Sequence, residues 1–197
     1  MQSVVLKGGN ALDLIYRISA RSSMDVDFSM HNDFPAGVNV FCSKIENALK
    51  RTFSEVGLTV FDVRMEERPE NLTEDIAPFW GGYCVEFKLI ESARYDTLKS
   101  DLDSLRRNAL PLGQRSKFLI DISRHEYISA KQRERLDGYQ IFVYSYEMMV
   151  FEKLRAICQQ MTEYGQIVKR DRPGAPRARD FVDIHALVQH SRMEVTS

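Results

Sequence analysis

The chain has 197 residues, of which 44% are hydrophobic and 28% are charged, which is typical of one globular domain and excludes a disordered or fibrous protein. Its formal net charge of −1 excludes a surface built as a whole to coat nucleic acid, so any such contact has to be a local patch. Three scattered cysteines form neither a disulfide framework nor a zinc motif, and no apolar run is long enough to cross a membrane, so we expect a cytoplasmic protein without a membrane partner.

The N-terminal segment is predicted to form a strand, a helix and a second strand. The apolar run "SVVLK" stops at Gly8 and Gly9, and Asn10 is a good N-cap for the helical stripe of apolar side chains that follows. In "SMDVDFSM" apolar and polar residues alternate, which is typical of a strand. The carboxylates of Asp25 and Asp27 are therefore expected on one strand face, about 7 Å apart.

The middle of the chain is predicted to alternate between helices and strands. The strand "GYCVEFKLIE" has Glu86 and Lys88 on one face, where Glu86 is the obvious ion-pair partner of Lys88. The strand "KFLIDIS" carries Asp121 in an otherwise apolar centre. The predicted elements are a helix at 38–56, strands at 58–65 and 82–91, a helix at 92–109, and strands at 117–123 and 139–145.

The C-terminal quarter of the chain is predicted to be helical. Ser145 is an N-cap for a long helix, and the basic loop "GQIVKRDRPGAPRAR" precedes a last helix that begins at residue 179. The order of elements predicts an α/β (α+β) fold in which helices flank a mixed β-sheet. We expect a core domain at residues 1–145 and a short C-terminal helical part at residues 146–197.

Asp25 and Asp27 are the first candidates for chemistry. Two carboxylates on one strand face repel each other unless a cation lies between them, and Mg²⁺ is usually bound by one or two carboxylates together with substrate phosphates. When such a pair stands alone, a solvated strand face is the commoner explanation. Gly8 and Gly9 before a helix start could hold a triphosphate, because glycine lets the backbone approach an anion closely, or could form only a tight turn.

Asp121 and Lys88 each have a structural explanation as well. A carboxylate inside an apolar strand is costly unless it is paired or bound to a metal, so Asp121 is either a salt-bridge partner or a ligand. Lys88 could neutralise charge that develops during phosphate transfer, or could be a solvated side chain. A Gly-Gly turn, two paired aspartates and a third carboxylate on a later strand together form the set that metal-dependent nucleotidyl transfer needs.

Two further segments have a functional and a structural explanation. Phe79 and Trp80, which precede two glycines, could form a shelf for base stacking, although a packed loop anchor is the commoner role. The basic loop Lys169–Arg179 could contact the phosphate backbone of a tRNA or could be a solvated loop. The four histidines have no ligand spacing, so we expect them to be surface or packing residues.

The first motif resembles that of the AbiEii/MenT-like nucleotidyltransferase family, within the DNA-polymerase-β-like superfamily. The family pattern is Gly-Gly-[Ser/Thr/Asn]-Ala-Leu, a helix, then Arg-x-[Ser/Thr]-x-Asp-hydrophobic-Asp. Later blocks are a lysine on a middle strand, a third acidic residue, Glu-Lys-hydrophobic-Arg-Ala and Arg-x-[Lys/Arg]-Asp-hydrophobic-x-Asp. The matching positions are 8–12, Arg21, Ser23, Asp25, Asp27, Lys88, Asp121, 152–156, Arg177, Arg179, Asp180, Phe181 and Asp183.

The resemblance implies a nucleotidyltransferase fold, an NTP substrate and Mg²⁺ or Mn²⁺ as cofactor. The implied metal ligands are Asp25, Asp27 and Asp121, and the implied catalytic residues are these three with Lys88. The implied nucleotide-binding residues are Gly8, Gly9, Asn10, Lys153 and Asp180. For Lys153 and Asp180 an internal ion pair that joins two helices is an equally good explanation.

The resemblance also implies a biological setting. Family members are often the toxin of a two-gene toxin–antitoxin or phage-defence system, so an antitoxin protein is an expected partner. Some resemble tRNA-tailing enzymes, which makes an RNA 3′ end, such as that of tRNA, the expected acceptor. The alternatives are transfer to a protein hydroxyl, for instance on the antitoxin, and a nucleotide-binding module without turnover. The chain is short for this family, as in a compact member or a trimmed form.

Overall fold

The computed structural model describes residues 4–18, 23–70, 73–167 and 174–195. Within these ranges helices flank one mixed seven-stranded sheet, as predicted. The strands are β1 (Val5–Lys7), β2 (Val26–Ser29), β3 (Leu58–Arg68), β4 (Gly82–Glu91), β5 (Phe118–Ser123), β6 (Gln132–Leu136) and β7 (Tyr139–Val143). The helices are α1 (Gly8–Asn10), which continues as a π-helix (Ala11–Ile15), α2 (Val38–Ser54), α3 (Ser92–Leu98), α4 (Leu102–Arg107), α5 (Tyr146–Cys158), α6 (Thr162–Ile167) and α7 (Ala178–Val195).

The sheet has the strand order β3-β4-β5-β2-β1-β7-β6. Strand β2 runs parallel to β5 and β1 runs parallel to β7, whereas the other neighbours are antiparallel. Since β1 and β2 are antiparallel, the turn at Gly8 and Gly9 that ends β1 lies beside the start of β2. The sheet thereby brings the two glycines to the aspartates of the first motif.

Helix α2 covers one face of the sheet. Its residues Phe41 and Ile45, at helical spacing, pack against Val85 and Ile122 on the strands. Because side chains alternate along a strand, Val85, Phe87 and Leu89 of β4 point toward α2, and Cys84 points to the opposite face. That opposite face is the one that carries Asp121, the register partner of Cys84.

Helices α5 and α7 pack at the other end of the sheet. Met149 of α5 and Leu187 of α7 are fully buried in one hydrophobic cluster with Leu6 of β1 and Val143 of β7. This cluster holds both helices next to the end of β1. The division of the chain into a core at 1–145 and a helical part at 146–197 stays a prediction. Within the four described ranges, no helix combines the length and the apolar character that crossing a membrane requires.

The prediction of one helix over 92–109 is wrong, since α3 and α4 are separate. The Asp101 carboxylate accepts hydrogen bonds from the backbone N–H groups of Asp103 and Ser104, at 3.0 and 3.1 Å, so this side chain caps a new helix. An N-cap inside a run of helix-forming residues is easily missed when only the apolar stripe is followed.

Strand β6 is absent from the sequence prediction. Its sequence, "QRERL", has no apolar alternation because β6 is the edge strand next to β7. The dipeptide Asp137-Gly138 is the sequence signal that could have predicted β6, because Asp-Gly favours a two-residue hairpin turn. In the structure these residues form that turn, with φ values of 48° and 86°.

Candidate active site

Four polar side chains form a row across the middle of the sheet. Lys7 of β1 is the register partner of Asp27 of β2, which is the partner of Asp121 of β5, which is the partner of Cys84 of β4. Register partners on neighbouring strands project to the same face of a sheet. The row therefore lies on the face opposite α2, with two carboxylates side by side.

The two glycines make room for Asp27. Gly8 has φ +70°, and a Cβ atom on it would lie 2.2 Å from Oδ2 of Asp27. A Cβ atom on Gly9 would lie 2.8 Å from Cβ of Ser23. No side chain fits at Gly8 without moving the carboxylate, so glycine here is a requirement of the site as well as of the turn.

Asn10 fixes the segment that leads into β2. Its Nδ2 donates a 2.7 Å hydrogen bond to the backbone oxygen of Asp25, and the Ser23 hydroxyl donates to the same oxygen at 3.1 Å. The predicted helix-capping role of Asn10 is wrong, because its side chain makes no cap hydrogen bond. Its role in binding phosphate stays a prediction.

Two cavities open on this face of the sheet. The first, which we call the glycine cavity, has a volume of about 710 Å³. Its walls include five of the residues predicted to be catalytic or nucleotide-binding, namely Gly8, Gly9, Asp27, Lys153 and Asp180. The second, which we call the arginine cavity, has a volume of about 810 Å³. Its walls include Asp121, Arg68, Arg124, Arg155, Arg177, Phe79 and Trp80.

An ion pair lies where the two cavities meet. Nζ of Lys7 is 2.9 Å from Oε1 of Glu152 and donates a 2.9 Å hydrogen bond to Oγ of Ser123, and both Lys7 and Glu152 line both cavities. Burial acts to lower the pKa of Lys7, but Glu152, Glu126 and Tyr144 together outweigh it and the pKa is raised, so Lys7 stays a cation.

Sequence reasoning did not include Lys7 or Glu152 among the site residues. A lysine that ends an otherwise apolar strand was the available signal for Lys7, and Glu152 was part of the family block on α5. Their contact joins β1 to a helix some 145 positions later, which spacing along the chain does not reveal.

The charge of Lys7 does not fully compensate the Asp27 carboxylate beside it. The pKa of Asp27 is raised to about 6, because burial, helped by the nearby Glu152, Asp121 and Asp25 carboxylates, outweighs the opposing charge of Lys7. Burial and the neighbouring Asp121 likewise raise the pKa of the Cys84 thiol to about 12. Oxygen donors that repel one another in a half-buried site suit a hard divalent cation.

The predicted three-aspartate metal site is not preassembled in the described ranges. They contain no group of three or more His, Cys, Asp and Glu side chains arranged to hold a metal ion. Asp25 precedes β2 and lines neither cavity, whereas Asp27 and Asp121 line one cavity each. Two carboxylates beside substrate phosphates are a usual Mg²⁺ environment, so the donor set fits while the ligand assignment stays a prediction.

Lys153 joins α5 to α7. Its Nζ lies 3.3 Å from Oδ1 of Asp180 and 2.7 Å from Oδ2 of Asp183, and all three side chains are at least 85% buried. The interhelical ion pair weighed from the sequence is therefore present. Since Lys153 and Asp180 also line the glycine cavity, their contact with a nucleotide stays a prediction.

The structure places Lys88 away from both cavities. Its Nζ lies 2.9 Å from Oδ2 of Asp62. The Asp62 carboxylate also accepts two hydrogen bonds from Arg106, one on each of its oxygens. These bonds, those from Arg106 first, hold the pKa of Asp62 well below its usual range. Lys88 follows Cys84 by four residues on β4, about 13 Å along the strand.

The predicted ion pair between Lys88 and Glu86 is wrong. Glu86 contacts Lys117 instead, at 2.6 Å between Oε1 and Nζ. The catalytic role predicted for Lys88 stays a prediction, but its position connects it to the packing of β3, β4 and α4.

Parts of two predicted features fall outside the described ranges. Arg21 of the first motif lies there, as do residues 169–173 of the basic loop. The described end of that loop contributes Arg177 to both cavities and Arg179 to the glycine cavity. Phe79 and Trp80 both line the arginine cavity, with 53% of Phe79 exposed.

Comparison with known proteins gave one family and several structural matches. The family model described as "Nucleotidyl transferase AbiEii toxin, Type IV TA system" matches residues 1–196. A candidate nucleotidyltransferase from H. pylori is similar over 95% of this chain and 60% of that one, with 20% identity and a TM-score of 0.45. An antigenic nucleotidyltransferase-like protein from Paracoccidioides brasiliensis is similar over 95% and 68%, with 13% identity and a TM-score of 0.43. The chain thus spans less than two thirds of the H. pylori structure, and no curated protein matches it.

Proposed function

Because the chain belongs to the AbiEii family of nucleotidyltransferase toxins of type IV toxin–antitoxin systems, we propose that it transfers a nucleoside monophosphate from an NTP to the 3′-hydroxyl of an RNA such as tRNA. The observation that carries the proposal is the fit between Gly8 and Asp27. A left-handed glycine packed against a carboxylate, at the edge of a cavity, allows a phosphate to approach both the backbone and the acid.

The glycine cavity is the proposed NTP site. Its volume of about 710 Å³ is within the usual range for small-ligand sites. Backbone groups at Gly8 and Gly9 and the ammonium of Lys153 are among the groups in this cavity that can contact the phosphates. Asp180 and Asp183 hold the Lys153 side chain in place between α5 and α7. Asn10 acts by holding the carbonyl of Asp25, which orders the start of β2.

The acidic residues are proposed to act with Mg²⁺ or Mn²⁺. When bound, such an ion offsets charge on the phosphates and on the leaving pyrophosphate. Asp27 and Asp121 would hold it, with Asp25 as the third predicted ligand. The raised pKa of Asp27 supports this assignment, because a carboxylate short of positive charge gains most from a cation.

The proposed reaction is an in-line displacement. The RNA 3′-oxygen forms a bond to the α-phosphorus of the NTP, and the bond from that phosphorus to the pyrophosphate oxygen breaks. The proton of the attacking hydroxyl passes to a carboxylate, for which Asp121 is the candidate. The products are RNA extended by one nucleotide, pyrophosphate and a proton.

The family gives the proposal its setting. An antitoxin is the expected protein partner, and phage defence in the cytoplasm is the proposed role.

Labelled-NTP transfer tests the proposed function. The protein is incubated with each of the four NTPs, labelled at the α-phosphate, together with Mg²⁺, a tRNA pool and purified antitoxin. Label that enters RNA and is released by 3′-exonuclease supports the proposal. Label on the antitoxin or on the enzyme would replace RNA by a protein acceptor, and NTP binding without any transfer would leave a nucleotide-binding module.

A further inference from the structure

We infer that the arginine cavity holds the acceptor, as the unpaired last nucleotides of a single-stranded RNA 3′ end. This inference rests on the proposed function and adds where the acceptor binds and in which form. It starts from the position of Asp121, which lines the arginine cavity although its register partner Asp27 lines the glycine cavity.

The two cavities are arranged as neighbouring donor and acceptor sites. Neighbouring strands lie about 4.8 Å apart, so a group beside Asp121 is close to a phosphate beside Asp27. Lys7 and Glu152 line both cavities and mark the boundary at which the groups would meet. A hydroxyl that enters from the arginine cavity would reach the acidic row from the side away from the NTP phosphates.

The arginine cavity has an aromatic edge suited to a base. Phe79 is 53% exposed, and the Trp80 ring lies 6.1 Å from the ring of Tyr164 on α6. The backbone N–H groups of both residues donate to the carbonyl of Ile76, which is buried and anchors the turn. An exposed aromatic ring on an anchored turn binds a base by stacking, whichever base it is.

The charges in the cavity favour a short single strand over a duplex. Lys7 and four arginines are nearly balanced by four carboxylates, so the lining is close to neutral. Arg68, Arg155 and Arg177 keep 52%, 43% and 44% of their side chains exposed although each has a carboxylate partner. Such arginines can contact a few phosphates but do not form the continuous positive track that a duplex requires.

Arg124 is the buried member of this group. Its side chain is 10% exposed and bonded to Asp33 and Glu67, and its guanidinium lies 5.0 Å from the ring centre of Tyr83. Its Nε is buried and has no hydrogen-bond partner among the described residues. Arg124 therefore supports the wall of the cavity, and the three exposed arginines are the ones that contact the RNA. A protein acceptor would need only a serine or tyrosine hydroxyl at Asp121, and the exposed ring and arginines favour RNA instead.

Steady-state kinetics of Phe79→Ala and Arg68→Gln test the inference. With an RNA that ends in a single-stranded 3′ tail, we expect Phe79→Ala to raise the KM for RNA about tenfold, in line with the loss of one stacked base. The KM for NTP should not change. Tyr139→Ala is the matched control, because Tyr139 is 76% exposed and lines neither cavity. A blunt hairpin RNA should be a poor acceptor for the wild-type protein.

Three outcomes separate this inference from the proposed function. A higher KM for RNA with an unchanged KM for NTP supports it. If the wild-type protein extends RNA and both variants keep its KM for RNA, the acceptor site lies elsewhere and the proposed function survives. If the wild-type protein labels protein or nothing, the proposed function fails and this inference fails with it.

Discussion

Asp27 and Asp121 are register partners on adjacent parallel strands, yet they line different cavities. Asp27 shares its cavity with Gly8 and Gly9, and Asp121 shares its cavity with arginines and the exposed ring of Phe79. This pair therefore connects a site suited to phosphates with a site suited to a nucleic-acid end.

Gly8→Ala is expected to slow transfer by about 100-fold. The new Cβ would lie 2.2 Å from Oδ2 of Asp27, so the carboxylate has to move. A displacement of about 1 Å at a reacting group costs on the order of 100-fold in rate, so kcat should fall by about that factor. Gly57→Ala is the matched control, since Gly57 has φ +74° and nothing within 4 Å of its Cβ position. Equal losses in the two variants would mean that backbone strain alone explains the effect.

Asp27→Asn is expected to stabilise the protein near pH 7 in EDTA. The pKa of Asp27 is about 6 in the folded state and about 3.9 in an unfolded chain. The folded state thus binds the proton more tightly, and the free energy of unfolding falls as the pH rises from about 4 to above 6. Asparagine does not ionise, so the free energy of unfolding of the variant does not fall in this way. The variant should therefore be more stable than wild type at pH 7 by on the order of 2 kcal/mol.

Urea unfolding at pH 4.5 and pH 7 measures this difference. The gap between Asp27→Asn and wild type should grow from the lower to the higher pH. Asp103→Asn serves as the control, because its side chain is 76% exposed. A variant that is less stable than wild type at pH 7, or that differs equally at both values, would contradict the uncompensated charge assigned to Asp27.

Lys153→Met is expected to weaken both stability and NTP binding. Removing the lysine leaves Asp180 and Asp183 without its charge between α5 and α7, and loss of one partner of a buried pair costs about 3 kcal/mol. If Lys153 also contacts the phosphates, isothermal titration should show at least tenfold weaker NTP binding. Lys99→Met, at a side chain that is 61% exposed, is the control. Destabilisation with unchanged NTP affinity would leave Lys153 a purely structural role.

Lys88→Met is expected to destabilise the protein and to spare catalysis. Lys88 and Asp62 are 10% and 9% exposed, so the loss of the pair should cost about 3 kcal/mol in urea unfolding. Because Lys88 lines neither cavity, kcat of the folded variant should stay within about twofold. Arg106→Gln removes another partner of Asp62 and should behave alike. A 100-fold drop in kcat for Lys88→Met alone would instead support the catalytic role predicted from the sequence.

Much of the fold could be predicted from the sequence. Strands with clear alternation were predicted within a few residues, because one side of each faces α2 or the α5–α7 cluster. The edge strand β6 was missed because it has no buried face to impose alternation, and the break between α3 and α4 was missed because one side chain, Asp101, starts α4.

The candidate site was predictable in part. Gly8, Gly9 and Asp27 form a local motif, and the sheet brings them together. The contact of Lys7 with Glu152 was not predictable, because it depends on how α5 packs against β1. Lys88 was predicted as a site residue but lies outside the cavities. It is on the expected face of β4, yet too far along the strand to reach them.

The most direct measurement of the central claim compares Asp25→Ala/Asp27→Ala with Asp96→Ala/Asp103→Ala, whose two aspartates are 72% and 76% exposed. Each double variant is checked for folding by circular dichroism and then assayed for transfer of α-phosphate label to RNA with Mg²⁺. The expected result is that the first variant loses transfer and Mg²⁺-dependent NTP binding, while the second keeps both. Wild-type transfer by a folded Asp25→Ala/Asp27→Ala variant would contradict the assignment of this site.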